Sequence, residues 1–532
     1  MLILYNGHVT TLDPYNAKAT ALAIEGGQIS AIGSDEQLLS LATSNNKKID
    51  LQGKTVWPGL TDSHLHLSLL AQSLDMVDCD TATREACLQR VAERARTAKA
   101  GAWIIGHGWD QNKWPEGFGN AELLDSVSNG HPAFLTSKSL HSAWVNSAAL
   151  RSAQIDVETP DPANGRVQQD QAGQPTGILF EMAAMKLVRD RIPVPDKSEL
   201  AGMIEKAQSS LGSMGLTSVH DFDDAACHAA LQELESQGRL KLRVVKGIFI
   251  DSLQDTIAAG LHTGSGSDML RIGPLKLFAD GALGPRTAAM LAPYENEPAN
   301  TGLLTLTADE IFSTGAQAAQ NGISLAIHAI GDRANRAVLA GYQRLRVYEA
   351  QQHLPHLRHR IEHVQLLHQD DVSRLADLDL IASMQPIHAT SDREMADRYW
   401  GDRVRLAYAW RSLLNCGTAL TFGSDAPVES PNPFWGMHAA MTRLRQGEGL
   451  EKSWHPQQCL TLEEAQQAYT IGAAYSAGCE QWLGRLSPGF AADLILLPDD
   501  PKDIQRQDFY IIKPEATMVA GSWVWNASDL QL

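Results

Sequence analysis

Two periods of apolar residues divide the chain. Near both ends apolar and polar positions alternate, so that one face of an extended segment is greasy and the other wet, which predicts half-buried strands. At the front these are Ile3–Leu12, Ala21–Ile32 with a Gly26-Gly27 turn, and Lys48–Val56, punctuated by Asn-Gly, Gly-Gly and Gly-Lys. At the back they are Ala492–Leu497 and Ala516–Trp525, the latter folded at Gly521-Ser522. Neither end carries enough strand to close a core by itself. The economical expectation is that the termini meet in one composite β-sandwich, 1–57 with 484–532, with everything else inserted between them.

Between the ends the pattern becomes short apolar runs separated by stretches of helical period. The runs are Thr55–Asp62, Leu216–Asp221, Arg243–Ile250, Leu275–Asp280, Ser324–His328, Arg360–Val364, Ile381–Gln385 and Ala419–Ser424. Helix-compatible segments lie between most of them, among them Glu199–Met214, Thr307–Gln320, Arg333–Glu349 and Gln369–Leu378. After the eighth run, Thr461-Leu462-Glu463-Glu464 is a capping box that opens a long amphipathic helix through Ala477. Eight strands alternating with helices predict parallel pairing and an α/β fold, a (β/α)8 TIM barrel over 58–75 and 213–483. About 150 residues separate the first run from the second, too many for an unstructured connection. With its own helix signal (Leu88, Val91, Ala95) and aromatic loops, 76–212 is expected to be an inserted α/β subdomain capping the barrel mouth.

Composition narrows function more than fold. The 532 residues, 44% hydrophobic and 20% charged, suit a folded soluble protein too long for a single ordinary core. Lys and Arg number 44 against 62 Asp and Glu, a net charge of −18 that argues against nucleic acid or an anionic membrane as partner. The opening MLILYNGHVTTLD lacks the basic start of a signal peptide. No uncharged apolar run approaches the roughly 18 residues of a membrane span. Six cysteines (79, 87, 227, 416, 459 and 479) are scattered without CxxC spacing and read as buried, reduced thiols. A cytoplasmic protein acting on a small molecule is the expectation, with a homodimer left open.

In a barrel of this kind, chemistry belongs at the C-terminal ends of the strands. His64 and His66 end the first run two residues apart, so on an extended backbone both imidazoles share a face and can hold one metal ion. Alone that pair is a weak signal. The second run ends in His220-Asp221, the fourth holds Lys276 and ends in Asp280, and the fifth reaches His328. The sixth ends in Glu362-His363, the seventh in Gln385 with His388 beyond, and the eighth in Ser424-Asp425. Any one of these reads equally well as a satisfied core polar group. The whole set, in register at one barrel end, points to a metal centre.

PGLTDSHLH (58–66), followed by a Lys in the fourth run, His in the fifth and sixth, and Asp in FGSDAP (422–427), resembles the amidohydrolase superfamily of metal-dependent hydrolases. Further stretches resemble its branch of YtcJ-like proteins and N-substituted formamide deformylases. They include GHGWDQNKW (106–114), HSAWVNSAAL (141–150), GQPTGILFE (173–181), KLFADGALGPRTA (276–288), HAIGDRA (328–334), RHRIEHVQ (358–365) and SMQPIHATSD (383–392). The resemblance spans essentially the whole chain. It implies that His64, His66 and Asp425 bind a more buried metal and that His328 and His363 bind a second. It also implies that Lys276, carboxylated by CO2 to an anionic carbamate, bridges two ions; an unmodified Lys276 would imply one. Zinc is the default for such His and Asp donors.

The implied chemistry is hydrolysis by a metal-activated hydroxide. Asp425 takes the proton of the acidified water and returns it to the leaving amine, while His141 or His220 steadies the oxyanion. The expected reaction is cleavage of a non-peptide linear amide C–N bond, of N-substituted formamide or N-acyl type. The alternative is a deaminase or a hydrolase of cyclic amides or imidazolones, for which one metal is the common complement. A binding protein on a hydrolase scaffold would have lost ligands, and here the set is intact. Trp103, Trp109, Trp114 and Trp144 in the insertion read first as its core and second as an aromatic wall for an aryl substituent. Glu181 reads either as a residue reaching the site or as one paired within the insertion.

Overall fold

Two units make up the computed structural model, which describes residues 1–15, 18–111, 113–138, 142–163 and 165–527: one is 1–70 with 197–532, the other 71–196. The division falls after Asp196. Helix Lys197–Ser213, expected within the insertion of 76–212, therefore groups with the first unit.

An eight-stranded sheet organises the first unit, its strands following one another in chain order. We number them β1 (Leu60–Leu65), β2 (Leu216–Asp221), β3 (Arg243–Phe249) and β4 (Leu270–Phe278). The others are β5 (Leu325–Ala329), β6 (Arg360–His363), β7 (Ile381–Met384) and β8 (Ala419–Phe422). Every neighbouring pair is parallel. Parallel strands need crossovers, and helices such as Ala225–Ser236, Ala308–Gln320 and Asp332–Gln351 supply them. The seam between β8 and β1 is drawn shut just beyond β8, where Asp425 N donates to His64 O at 2.7 Å and His66 N to Ala426 O at 2.8 Å. The result is the (β/α)8 barrel expected of the sequence.

Several expected elements are broken. Ile3–Leu12 divides into Leu2–Tyr5 and His8–Thr10, in different sheets, and Gln369–Leu378 is a 3-10 turn Gln369–Asp371 and a short helix Arg374–Asp377. Two more break for a visible reason. The run Thr55–Asp62 divides at Gly59: Thr55–Pro58 pairs antiparallel with Leu494–Leu497 outside the barrel, and only Leu60 onward enters β1. A Cβ on Gly59 would lie 2.3 Å from the Thr217 hydroxyl oxygen, so the crossing point tolerates no side chain. The long helix expected from Thr461 through Ala477 is instead Leu462–Ala468 followed by Ile471–Ser476. The capping box is present, but Tyr469 O leaves the helical ladder to accept from Thr61 N of β1 at 2.8 Å.

The two chain ends share a pair of sheets. Leu2–Tyr5, Ala21–Glu25, Gln28–Gly33 and Lys47–Asp50 form one; His8–Thr10, Lys18–Ala19, Thr55–Pro58, Leu494–Leu497, Ala516–Val519 and Ser522–Asn526 form the other. Leu4, Leu22, Ile24 and Val56 from the front pack with Leu494, Leu496 and Met518 from the back in one apolar core.

The second unit has its own six-stranded sheet and its own core. Trp109, Trp114 and Trp144 are buried in that core, and Trp103 packs against a neighbouring apolar cluster. Their indole N–H groups are spent locally, Trp109 on Leu135 O, Trp114 on Thr81 O and Trp144 on Asn120 O. These tryptophans support the subdomain rather than forming an exposed wall. All six cysteines are free thiols; Cys416 is exposed, so not every one is the buried group expected. Among the described residues no helix is long and apolar enough to cross a membrane.

Candidate metal centre

Strand ends assemble the site. At the end of β1, alternation turns His64 and the next residue but one, His66 just past the strand, to one face, and the seam brings Asp425 beside them. His66 Nε2 lies 3.3 Å and His64 Nε2 3.6 Å from the same oxygen, Asp425 Oδ1. Asp425 reaches this position with φ of 62°, and His363 at the end of β6 has φ of 72°. Non-glycine residues in that region cost about 1–3 kcal/mol each and persist where surrounding structure enforces them, commonly at functional sites.

Buried groups from other strands lock each ring. Glu362 Oε2 sits 2.5 Å from His64 Nδ1, and Asp223 Oδ1 3.1 Å from His66 Nδ1. A carboxylate only accepts, so both Nδ1 atoms donate; His64 Nε2 is left as an acceptor, while His66 Nε2 gives its own proton to Asp425 until a cation takes its place. His363 Nδ1 lies 2.9 Å from Gln385 Oε1. Arg360 balances Glu362, donating to its two oxygens, and also to Ser63 O at 2.6 Å, Ser383 Oγ at 2.6 Å and His220 Nδ1 at 2.9 Å. One guanidinium thereby ties β1, β2, β6 and β7 together beneath the site.

Electrostatics follow from burial and these pairings. Burial lowers His64 to about 4 and His328 to about 4, favouring neutral imidazoles. Burial would lower His66 too, but hydrogen bonds to Asp223 and Asp425 raise it to about 9. Burial brings Lys276 down to about 8, against the pull of Glu362 and Asp425. For Asp425 burial would favour the acid, yet hydrogen bonds from His388 and His66 hold it well below the usual carboxylate range. Without a cation the centre is thus an anionic Asp425 oxygen between a neutral His64 and a protonated His66, whose Nε2 proton a metal ion would displace.

That donor set fits a divalent cation. Ligand atoms 2.0–2.2 Å from a tetrahedral zinc are separated by about 3.3–3.6 Å, the spacing that the Asp425 oxygen keeps from each imidazole. The ligand-capable atoms of His64, His66 and Asp425 all lie within 4.8 Å of one another, and so do those of His363, His388 and Asp425.

The other expected residues are placed unevenly. Lys276 Nζ is 3.4 Å from His64 Nε2. The His328 ring lies 4.5 Å from that of His363, with its Nε2 3.0 Å from Gly281 O. His220 is wholly buried and accepts from Arg360. Glu181 is exposed at the head of helix Glu181–Arg189 in the other unit, and His141 lies outside the described residues. The expected set passed over the partners Asp223 and Arg360, and it counted His388 and Glu362 only as strand-end residues. A period-two signal was present for some of these: Arg360 and Glu362 share a face of β6, and Asp223 stands two residues beyond Asp221, the last residue of β2.

Across residues 47–525 the chain matches the model of the amidohydrolase family. This chain belongs to that family. The amidohydrolase is 30% identical over 99% of both chains to YtcJ of Bacillus subtilis, whose name describes an amidohydrolase. It is 28% identical to the N-substituted formamide deformylase of Arthrobacter pascens, over 98% of this chain and 97% of that one. A crystal structure of a metal-dependent hydrolase from Pyrococcus furiosus superposes with a TM-score of 0.78 at 31% identity, covering 94% of this chain and 99% of the other. The protein is a metal-dependent hydrolase acting on carbon–nitrogen bonds.

Proposed function

We propose that this amidohydrolase cleaves the C–N bond of a small linear amide, an N-substituted formamide or N-acyl compound, in the cytoplasm. The observation that carries the reading is the convergence of His64 Nε2 and His66 Nε2 on Asp425 Oδ1. The likeness to the formamide deformylase over nearly the whole chain supports the choice of a formyl or acyl group. His64, His66 and Asp425 would hold a divalent cation, zinc by the chemistry of the donors. Bound there, such an ion acidifies water from a pKa of 15.7 to about 7 and polarises a carbonyl.

The chain's own groups do the rest. Glu362 and Asp223 hold the imidazoles by Nδ1 so that Nε2 is the nitrogen turned toward a cation. Asp425 keeps Oδ1 toward that pair and Oδ2 3.4 Å from His388 Nε2, which leaves its carboxylate placed to take a proton from water and pass it to the departing amine. Lys276, buried and lowered to about 8, has the neutral fraction that reacts with CO2, in keeping with a carbamate there; His328 and His363 would then hold a second ion. Phe278, 44% exposed and stacked on Phe249 beside the His328 ring, offers an apolar surface for the nitrogen substituent.

Zinc-replete protein assayed against N-formyl, N-acyl and cyclic amides tests the reading. Release of formate or another carboxylate with a free amine from the linear compounds is expected. Turnover confined to cyclic amides, or release of ammonia from an amino heterocycle, would move the protein to the deaminase side of the family.

A further inference from the structure

We propose that Asp223 is a positioning residue that sets the tautomer of His66 and thereby the affinity of the metal centre; this rests on the cation reading above. His66 follows the last residue of β1 and leaves 23% of its side chain exposed, so packing alone does not hold its ring. Asp223, two residues past the end of β2, does. Its Oδ1 lies 3.1 Å from His66 Nδ1, while Oδ2 accepts from Ser68 N at 2.5 Å, Ser68 Oγ at 2.6 Å and Leu69 N at 3.3 Å. With one oxygen crowded by donors, the other is left to take the Nδ1 proton. Nε2, 3.3 Å from Asp425 Oδ1, is then the nitrogen that exchanges its proton for a cation and presents its lone pair. The opposite tautomer would put a proton where the cation has to bind.

Neighbouring groups keep this carboxylate at its task. Asp221, whose oxygen also approaches Asp223, is taken by Lys246 Nζ at 3.0 Å. Lys246 in turn donates to the Asp223 carbonyl oxygen, fixing the backbone from which the side chain projects.

These contacts make two simple variants diverge. In Asp223→Asn a single acceptor oxygen must serve both sides, and the Ser68 side presents two backbone N–H groups that cannot turn away. The amide oxygen therefore goes there and the NH2 faces His66 Nδ1. A donor at Nδ1 forces that nitrogen to accept, and the ring proton moves to Nε2. In Asp223→Ala the ring loses its support but can still take either tautomer.

Full-length protein stripped by chelator and titrated with Zn2+ against a competing chelator reads the difference. The Ala variant is expected to bind zinc about 10- to 100-fold more weakly than the parent, the range seen when a partner of a ligating imidazole is removed. The Asn variant is expected to be at least about 10-fold weaker again, with a melting temperature of the stripped protein no lower than that of the Ala variant. An Asn variant that binds as tightly as the parent, or more tightly than the Ala variant, overturns the proposal. A parent protein that takes up no zinc overturns the cation reading itself.

Discussion

At the scale of single residues, the centre depends on which atom of each side chain is free. Asp425 has one oxygen toward the imidazole pair and the other toward His388. Asp425→Asn keeps a neutral oxygen at about the same place but cannot take a proton. Turnover should fall by about 10²–10⁴-fold, the usual contribution of a positioned acid–base group, while mass spectrometry of the metal content still finds at least one equivalent. Five residues after His388, Arg393 grips Glu448 with two nitrogens, at 2.6 and 2.7 Å. The Arg393 bond, against a smaller effect of burial, holds Glu448 down to about 2 from its ordinary 4.5. Because the folded value lies below the unfolded one, this carboxylate adds stability above about pH 4.5 and loses it as pH falls towards 2. Glu448→Gln should therefore lower the melting temperature at pH 7 and flatten its decline in acid.

At the scale of elements, the seam between β8 and β1 decides whether a site exists. Asp62, buried on β1, accepts from His64 N and Ser424 N at 3.0 Å each and from Ser424 Oγ at 2.5 Å, replacing a regular ladder with one carboxyl. Gly423 passes directly beneath: a Cβ there would come 2.5 Å from His64 N and 2.6 Å from Asp62 Oδ1. Gly423→Ala should open the seam, lowering zinc uptake and melting temperature together. A variant with wild-type metal content would show that the seam can give. The strand ends carrying His64, His328 and His363 were legible from short apolar runs closed by a polar residue. The partners were not, because Glu362 meets His64 and Asp223 meets His66 only after register sets which strand ends adjoin. The break at Tyr469 was illegible for the same reason: its cause is a donor on β1, 408 positions away in the chain.

At the scale of the whole chain, a buried ion pair helps to join the barrel of the first unit to the sheet built by the termini. Arg243 at the start of β3 donates to both oxygens of Asp493, at 2.7 and 3.0 Å, and Asp493 also accepts from Ala520 N at 2.8 Å. Both side chains are nearly inaccessible. Asp493→Ala strands a buried guanidinium and should cost about 3–5 kcal/mol, measured by denaturant unfolding. Loss of less than 1 kcal/mol would mean that the cation–π contact of Arg243 with Trp482 suffices.

Alternation, helical period and strand-end polarity determined by themselves that this chain is a (β/α)8 barrel with sheet at both ends and a ring of imidazoles and carboxylates at one mouth. Those signals are local, carried by spacing within ten or so residues. Only the tertiary structure decided which nitrogen of each imidazole is free, that Arg360 and Asp62 tie the strand ends together, and that the insertion's tryptophans are spent on a core of their own. Hydrogen bonds of that kind join residues from two dozen to more than three hundred positions apart, and a pattern read along one dimension carries no distance between them.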